Sequence, residues 1–349
     1  MHLLWLPEGG GAARVGHARV FGFDDRYSEH LVETLEAHSF RVVVVGSDAD
    51  FDGLRKAKQD VYSNMQTAMV DSTKRVGALL SNSPYDLHVV VDLPPLGRRA
   101  LQGGATLLGM YGDVLAQVAA KGKGEGRLAT ITFLSVQMPN GGRDGGDQGA
   151  LSELQAAFLK AEKEWVAFGE KTSVRVVIMR VADRVYAPAA SALKLVATGE
   201  RPNPCRVDEC EHTQPLTRVH NEDLSGVVLR MLSMFDIVDT HGADSSMKGT
   251  ASMASSISRF PTGTVLEVVD DGPAHTMAQA EDWSKALFGL KPSASAFDDT
   301  VPDTDRAAHR SYVGAKGRNK DLKEALGLPK LRYPSYLHGA AKMFGAGEF

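Results

Sequence analysis

The stretch ARVFGFDDRYSEHLVETL (residues 18–35) passes from a strand-like pattern through a short turn into a helical pattern. Three of its first four residues are apolar, as in a strand, whereas Leu31 and Leu35 recur at the four-residue spacing of a buried helix face. A phosphate-binding turn at such a corner is rich in glycine and free of negative charge. Here a single glycine, Gly22, is followed by two aspartates, so the stretch indicates the fold more clearly than it indicates a ligand.

The same alternation of strand-like and helix-like patterns continues through the first half of the chain. Continuous apolar strands separated by amphipathic helices are typical of a parallel sheet covered on both faces, and right-handed crossovers then favour a doubly wound, Rossmann-like α/β fold. The strand-like runs are 18–21, 40–45, 66–70, 87–91, 128–134 and 174–179, and the amphipathic stretches are 28–38, 73–81, 105–120 and 150–170.

The pattern becomes shorter and more mixed after residue 185, which predicts a smaller C-terminal α+β lobe. We expect an N-terminal extension (1–17), a Rossmann-like NAD(P)-binding-type domain (18–185) and a C-terminal lobe (186–342) interleaved with the Rossmann core. A polar excursion within the lobe (291–311) and a tail (343–349) complete the prediction.

Composition excludes several classes of function. The 349 residues carry a formal net charge of -4 without a lysine or arginine block, and no apolar run approaches the roughly 20 residues that span a bilayer. Neither a nucleic-acid partner nor a membrane span is therefore expected. Cys205, Cys210 and His212 lack the spacing of a zinc site, so no metal is predicted, and the two cysteines favour a reducing intracellular compartment.

Four segments in the second half of the chain carry a resemblance. VRVVIMRVADRVYAP (174–188), LTRVHNEDLSGVVLRML (216–232), GTVLEVVDDGPAHTMAQAEDWSKALFGL (263–290) and GRNKDLKEALGLPKLRYPSYLHG (317–339) follow one another in the order found in extended, atypical short-chain dehydrogenases/reductases of the NAD-dependent epimerase/dehydratase-like group. The residues that match this family's motifs are Arg180, Tyr186, Pro188, Arg218, His220, Asp223, Val269, Asp270, Asp271 and Pro273. The resemblance covers residues 18 to 342 and implies a parallel nucleotide-binding sheet with a small substrate lobe.

The cofactor positions that the resemblance implies depart from the family pattern. Its GxxGxxG turn falls on Gly22, Asp25 and Ser28, and only the first glycine is present. The carboxylate of Asp25 would oppose a diphosphate at the helix N-terminus, whereas Ser28 is small enough to pack there and to cap the helix. Asp48, or Asp50, follows the second strand where an acidic residue can bind a ribose. The favoured interpretation of Gly22, Asp25 and Ser28 is a strand-to-helix turn without phosphate, the remnant of a dinucleotide turn. A solvated acidic loop explains Asp48 and Asp50 as well as a ribose contact does.

The catalytic positions depart from the pattern too. The family uses a tyrosine and a lysine spaced YxxxK on one helix, together with a hydroxyl after the fifth strand. Here the lysine aligns with Lys160, the tyrosine with Ala156 and the hydroxyl with Val136, and Ser135 lies one residue early. No tyrosine occurs between residues 112 and 185, so no shift of register restores the pair. Lys160 is then interpreted as a solvated helix lysine.

Two further residues could form a site of their own. His220 and Asp223 at a spacing of three would share a helical face, as a catalytic pair or as metal ligands, although in the family this segment mainly links the two lobes.

These departures favour a catalytically degenerate member of the fold, acting as a structural or accessory subunit of a larger assembly with other protein subunits. The resemblance offers a precedent in the accessory subunit of respiratory complex I, which points to a mitochondrial or plastid assembly. Two alternatives stay open. One is an active NAD(P)-dependent oxidoreductase or epimerase on a small or sugar-like substrate, with Tyr186 or His220 as substitute proton donor. The other is an inactive redox sensor that retains NAD(P).

Overall fold

The structure is a computed structural model of the whole chain, and every structural statement below concerns the residues that it describes. These are 16–21, 28–38, 40–46, 66–69, 80–81, 83, 85–91, 107–123, 125–137, 153–182, 184–186, 217–241, 260–272, 277–291 and 315–347.

Seven parallel strands form the main sheet, in the order β3-β2-β1-β4-β5-β6-β9. The predicted α/β class with a parallel, Rossmann-like sheet is confirmed. Its strands are β1 (Gly16–Phe21), β2 (Phe40–Gly46), β3 (Gln66–Met69), β4 (Leu87–Val91), β5 (Leu128–Val136), β6 (Arg175–Val181) and β9 (Thr264–Val268). The strand order reverses between β1 and β4, which is the topological switch point near which doubly wound folds bind ligands.

Helices cover both faces of the sheet. One apolar cluster contains side chains of α1 (Ser28–Ala37), α4 (Asn221–His241) and α6 (Ala315–Leu326), and the other contains side chains of α2 (Leu107–Ala119) and α3 (Glu153–Thr172). Because both faces are buried, the strands are apolar on successive residues instead of alternating with polar ones.

The C-terminal part of the chain adds a small second unit and also completes the sheet. Strands β7 (Arg184–Tyr186) and β8 (Arg218–His220) form a two-stranded parallel ribbon. Helices α5 (Met277–Leu287) and α7 (Tyr336–Ala346) pack against each other beside it, and Tyr186 joins their apolar cluster. Strand β9 pairs with β6, so this part of the chain is interleaved with the Rossmann sheet. Within the described residues, no helix is long and apolar enough to cross a membrane.

Candidate functional site

The carboxyl end of β5 is held in a buried polar network. The strand extends to Val136, two residues beyond the apolar run in the sequence, and this places Ser135 within it. The Ser135 hydroxyl donates a hydrogen bond to Glu162 Oε1 of α3 over 2.5 Å. The Arg180 guanidinium donates to the same carboxylate through Nε at 3.0 Å and Nη2 at 2.7 Å. All three side chains are buried, so Ser135 serves here as a donor within the core.

The sheet register explains why these groups meet. Ser135 pairs with Arg180, which pairs in turn with Glu267, so the three residues form one row across β5, β6 and β9. Arg180 Nη1 lies 3.9 Å from Glu267 Oε1. A buried guanidinium is tolerated only when it is paired and hydrogen-bonded, and Glu162 supplies that pairing from the helix above the row.

The two helix positions of the expected catalytic pair face solvent. Ala156 is exposed, and the Lys160 side chain is 73% exposed, with its Nζ atom 4.0 Å from Glu164. Val136 is half-buried and packs against the apolar cluster of α2 and α3. The structure therefore places these residues on one strand–helix pair, but no hydrogen bond or ion pair joins Lys160 to Ser135.

The cofactor positions are described only in part. Gly22, Asp25, Asp48 and Asp50 lie outside the described residues, as do Cys205, Cys210 and His212. Helix α1 begins at Ser28, seven residues after β1 ends at Phe21. The strand and the helix are thus related as in the first unit of a dinucleotide-binding sheet.

A second cluster lies where the segment Leu331–Tyr336, here called the strap, crosses the start of α4. Asp223 Oδ1 and Oδ2 accept hydrogen bonds from the backbone N–H groups of Arg332 and Tyr333, at 2.7 and 2.9 Å. Tyr333 Oη donates to Glu222 over 3.1 Å, and Arg332 forms an ion pair with the same carboxylate. The two acidic side chains in the first turn of α4 therefore bind the strap.

The expected pairing of His220 with Asp223 on one helical face is wrong. His220 is the last residue of β8, whereas Asp223 lies in the first turn of α4. The imidazole stacks on Tyr333, with the ring centroids 3.8 Å apart, and its Nδ1 accepts from the backbone N–H of Glu222 at 3.2 Å. The two side chains thus hold the strap through different contacts, and among the described residues no group of three or more potential ligands could hold a metal ion.

The environment of this cluster shifts four pKa values. Burial, followed by the charges of His30, Arg332 and Lys342, lowers the pKa of His220 to about 3. Burial raises the pKa of Asp223 to about 6, against the effect of its two backbone hydrogen bonds, and that of Asp270 to about 7.

Tyr186 is the fourth group. Burial, reinforced by Asp270 and Asp223, raises the pKa of its phenol far above the usual range, and its hydroxyl donates to the carbonyl of Ser335 at 3.4 Å. At neutral pH His220 is neutral and Tyr186 holds its proton firmly, so neither has a pKa matched to proton transfer.

Sequence reasoning missed several residues of both clusters. Glu162 stands in the run KAEKEW (160–165), which reads as a solvated helix face, and only the three-dimensional packing shows that it is buried. Gln137, directly after β5, is also buried and accepts a hydrogen bond from Thr217. Tyr333 could have been found, because it belongs to the LRYPSY motif (331–336) on which the resemblance rests.

Comparison with solved structures identifies the architecture. UDP-glucose 4-epimerase from Thermotoga maritima, solved with UDP-glucose, superposes with a TM-score of 0.56 at 14% identity, covering 95% of this chain and 100% of that one. dTDP-glucose 4,6-dehydratase from Bacillus anthracis, solved with NAD, gives 0.54 at 10% identity, with coverages of 96% and 98%. A Bordetella bronchiseptica enzyme solved with NAD+ and UDP gives 0.50 at 13%, with 96% and 98%. The chain has the epimerase/dehydratase-type fold.

No protein-family model matches the sequence, and no curated protein matches it either. Sequence identities of 10–14% support a shared fold and nothing further. The roles of the residues in this epimerase/dehydratase-type chain are therefore argued from the contacts that they make in it. Those contacts give two buried clusters, one at the end of β5 and one beneath the strap.

Proposed function

We propose that this chain is a catalytically degenerate short-chain-dehydrogenase-like protein that serves as a structural or accessory subunit of a larger assembly. The observation that carries the proposal is the hydrogen bond that Ser135 makes within the core. Its hydroxyl is buried and donates to Glu162, while the tyrosine position of the family pattern is the exposed Ala156. By analogy with the respiratory-complex subunit, we place the assembly in a mitochondrion or plastid.

The chemistry of the two clusters supports the proposal. Hydride transfer to or from a hydroxyl requires a group that exchanges a proton with that hydroxyl near neutral pH. Tyr186 and His220 are the substitutes that the sequence offers, and burial moves both pKa values away from neutrality. The tyrosine position one helical turn before Lys160 is Ala156, and the Lys160 ammonium lies near Glu164 on the helix surface.

Retention of NAD(P) without turnover is the second candidate, and one observation favours it. Strand β1 is followed in the chain by helix α1, the strand order reverses between β1 and β4, and two of the superposing proteins were solved with NAD or NAD+. A bound nucleotide would then stabilise the fold or report the redox state, and Lys160 would not be required.

Two measurements on the full-length chain separate these possibilities. The first is thermal unfolding with and without millimolar NAD+, NADH, NADP+ or NADPH, where a ligand at 100 times its dissociation constant adds about 2.7 kcal/mol. The second is turnover by hydride transfer with nucleotide-sugar substrates, followed by chromatographic separation of substrate and product, with an active UDP-glucose 4-epimerase as the positive control. We expect no turnover. A melting shift alone selects the nucleotide-binding candidate, whereas turnover that is abolished in Lys160→Ala overturns the proposal.

The substitution Ala156→Tyr provides a matched gain-of-function test. It places a phenol one helical turn before Lys160, on an exposed part of α3 where the new side chain meets little steric resistance. If the missing tyrosine alone limits catalysis, this variant gains turnover. We expect it to stay inactive, because the hydroxyl position of the pattern is Val136 and the hydroxyl of the neighbouring Ser135 remains bonded to Glu162.

A further inference from the structure

The strap, the residue that precedes it and the first two turns of α7 expose a group of basic side chains. Lys330, Arg332, His338 and Lys342 are all exposed, and Leu337 stands among them with 46% of its surface accessible. We call these five residues the basic patch. It differs from the chain as a whole, which carries a formal net charge of -4.

Two of the charges have fixed positions. The Arg332 guanidinium lies 5.5 Å and the Lys342 ammonium 4.9 Å from the centroid of the Tyr333 ring, so the two cations are within about 10 Å of each other. Tyr333 is itself buried, stacked on His220 and bonded to Glu222. A partner therefore meets cations that are already ordered, which lowers the entropic cost of binding them.

The patch is also incompletely neutralised. On the neighbouring helix α6, Lys320 pairs with Glu324 and Lys323 pairs with Asp271. Among the described residues, no carboxylate pairs with Lys330 or Lys342, and Glu222 compensates Arg332 alone. The patch thus keeps a positive charge in its free state.

We propose that the basic patch is a docking surface for an acidic segment of a partner protein, with aspartate or glutamate side chains facing the cations and an apolar side chain covering Leu337. This inference rests on the proposed accessory function and names the chemistry of the partner. The observations favour an acidic peptide over a nucleic acid. The patch is short, its host protein is acidic overall, and its exposed non-basic residue is aliphatic and offers no aromatic surface on which a base could stack.

The test is a titration of the full-length chain into a fluorescent 12-residue peptide of alternating glutamate and leucine, followed by anisotropy at low and high salt. We expect saturable binding that weakens with salt, because exposed charges are screened. The variant Lys330→Gln/Lys342→Gln, which retains Arg332 and its ion pair, is expected to bind about tenfold more weakly. The control Lys163→Gln/Lys171→Gln removes two exposed lysines of α3 and is expected to bind like the unmodified chain.

Equal loss of binding in both double variants, or no binding by the unmodified chain, overturns the docking surface. The acidic peptide is overturned as the ligand of the basic patch if duplex DNA, or vesicles containing anionic lipid, bind more tightly than the peptide and this binding depends on the same two lysines. Circular dichroism and thermal unfolding of each variant exclude misfolding as the cause. The hydride-transfer assay is independent of this titration. If the peptide does not bind and no turnover is observed, only the docking surface is overturned. If turnover is observed, the accessory function is overturned.

Discussion

The buried network at the end of β5 makes a strong quantitative prediction through the substitution Glu162→Gln. The glutamine keeps the shape of the side chain but removes the charge that compensates Arg180, and it offers one acceptor oxygen where the carboxylate offers two. Removing one partner of a buried ion pair costs about 3–5 kcal/mol. Glu267 at 3.9 Å retains part of the compensation, so we expect the free energy of unfolding to fall by about 3 kcal/mol.

Urea denaturation followed by circular dichroism measures this change, with an unaltered m value as the sign that the two states are unchanged. Lys160→Gln is the matched control, because it removes a charge from the same helix at an exposed pair 4.0 Å apart. We expect the control to cost less than about 0.5 kcal/mol.

A double-mutant cycle with Arg180→Met tests the physical origin of the loss. The single change Arg180→Met leaves Glu162 and Glu267 without their shared cation, whereas the double variant removes both ends of the central pair. The double variant should therefore be more stable than the sum of the single changes predicts, by at least about 2 kcal/mol. Additive effects would refute the buried pairing of Arg180 with Glu162. The same conclusion would follow if Glu162→Gln lowered the free energy of unfolding no more than Lys160→Gln does, and Ser135 would then not be held by a buried carboxylate.

Three further predictions concern the strap and its surroundings. The pKa of Asp270 is raised to about 7 from 3.8, so its contribution to stability is complete below pH 3.8 and is lost as pH rises through 7. The pKa of His220 is lowered to about 3 from 6.5, so its contribution to stability is present above pH 6.5 and is lost as pH falls through 3. The free energy of unfolding of the unmodified chain should therefore fall between pH 6.5 and 8, and Asp270→Asn should flatten that slope in urea titrations. Gly339→Ala places a Cβ atom 2.7 Å from Oη of Tyr186 and should lower stability by about 1–3 kcal/mol, whereas Gly345→Ala on the same helix meets no atom within 4 Å and should not. Tyr186→Phe should cost less than about 1 kcal/mol in thermal unfolding, since the hydrogen bond it removes is 3.4 Å long; a larger loss would show that the phenol is held more tightly.

The sequence predicts the sheet well because burial on both faces leaves a strong local signal. Runs such as 40–45 and 87–91 are apolar at all but one residue, and they become the interior strands β2 and β4. The end of β5 is less visible, because Ser135 interrupts the apolar pattern while remaining inside the strand. Its partners come from residues 27 and 45 positions later, and no local pattern encodes such a distance.

The strap cluster shows the same limit at the level of single residues. His220 and Asp223 stand three residues apart, and spacing alone suggests a shared helical face. The structure ends a strand at His220, because residues 218–220 pair with β7, and it starts α4 one residue later. The two side chains consequently meet the strap from different elements, a result that depends on tertiary pairing and not on spacing.

The residues that match the family pattern and those that depart from it differ in what they contact. Arg180 pairs with Glu162, Asp223 holds the strap by two backbone hydrogen bonds, and the backbone N–H of Asp271 donates to the carbonyl of Pro334. Each of these contacts joins two different elements of the fold, so its loss would cost stability. Ala156 and Lys160 join no such elements, and they lie on the exposed face of α3. Under the accessory function that we propose, selection for architecture would act on the first group and not on the second.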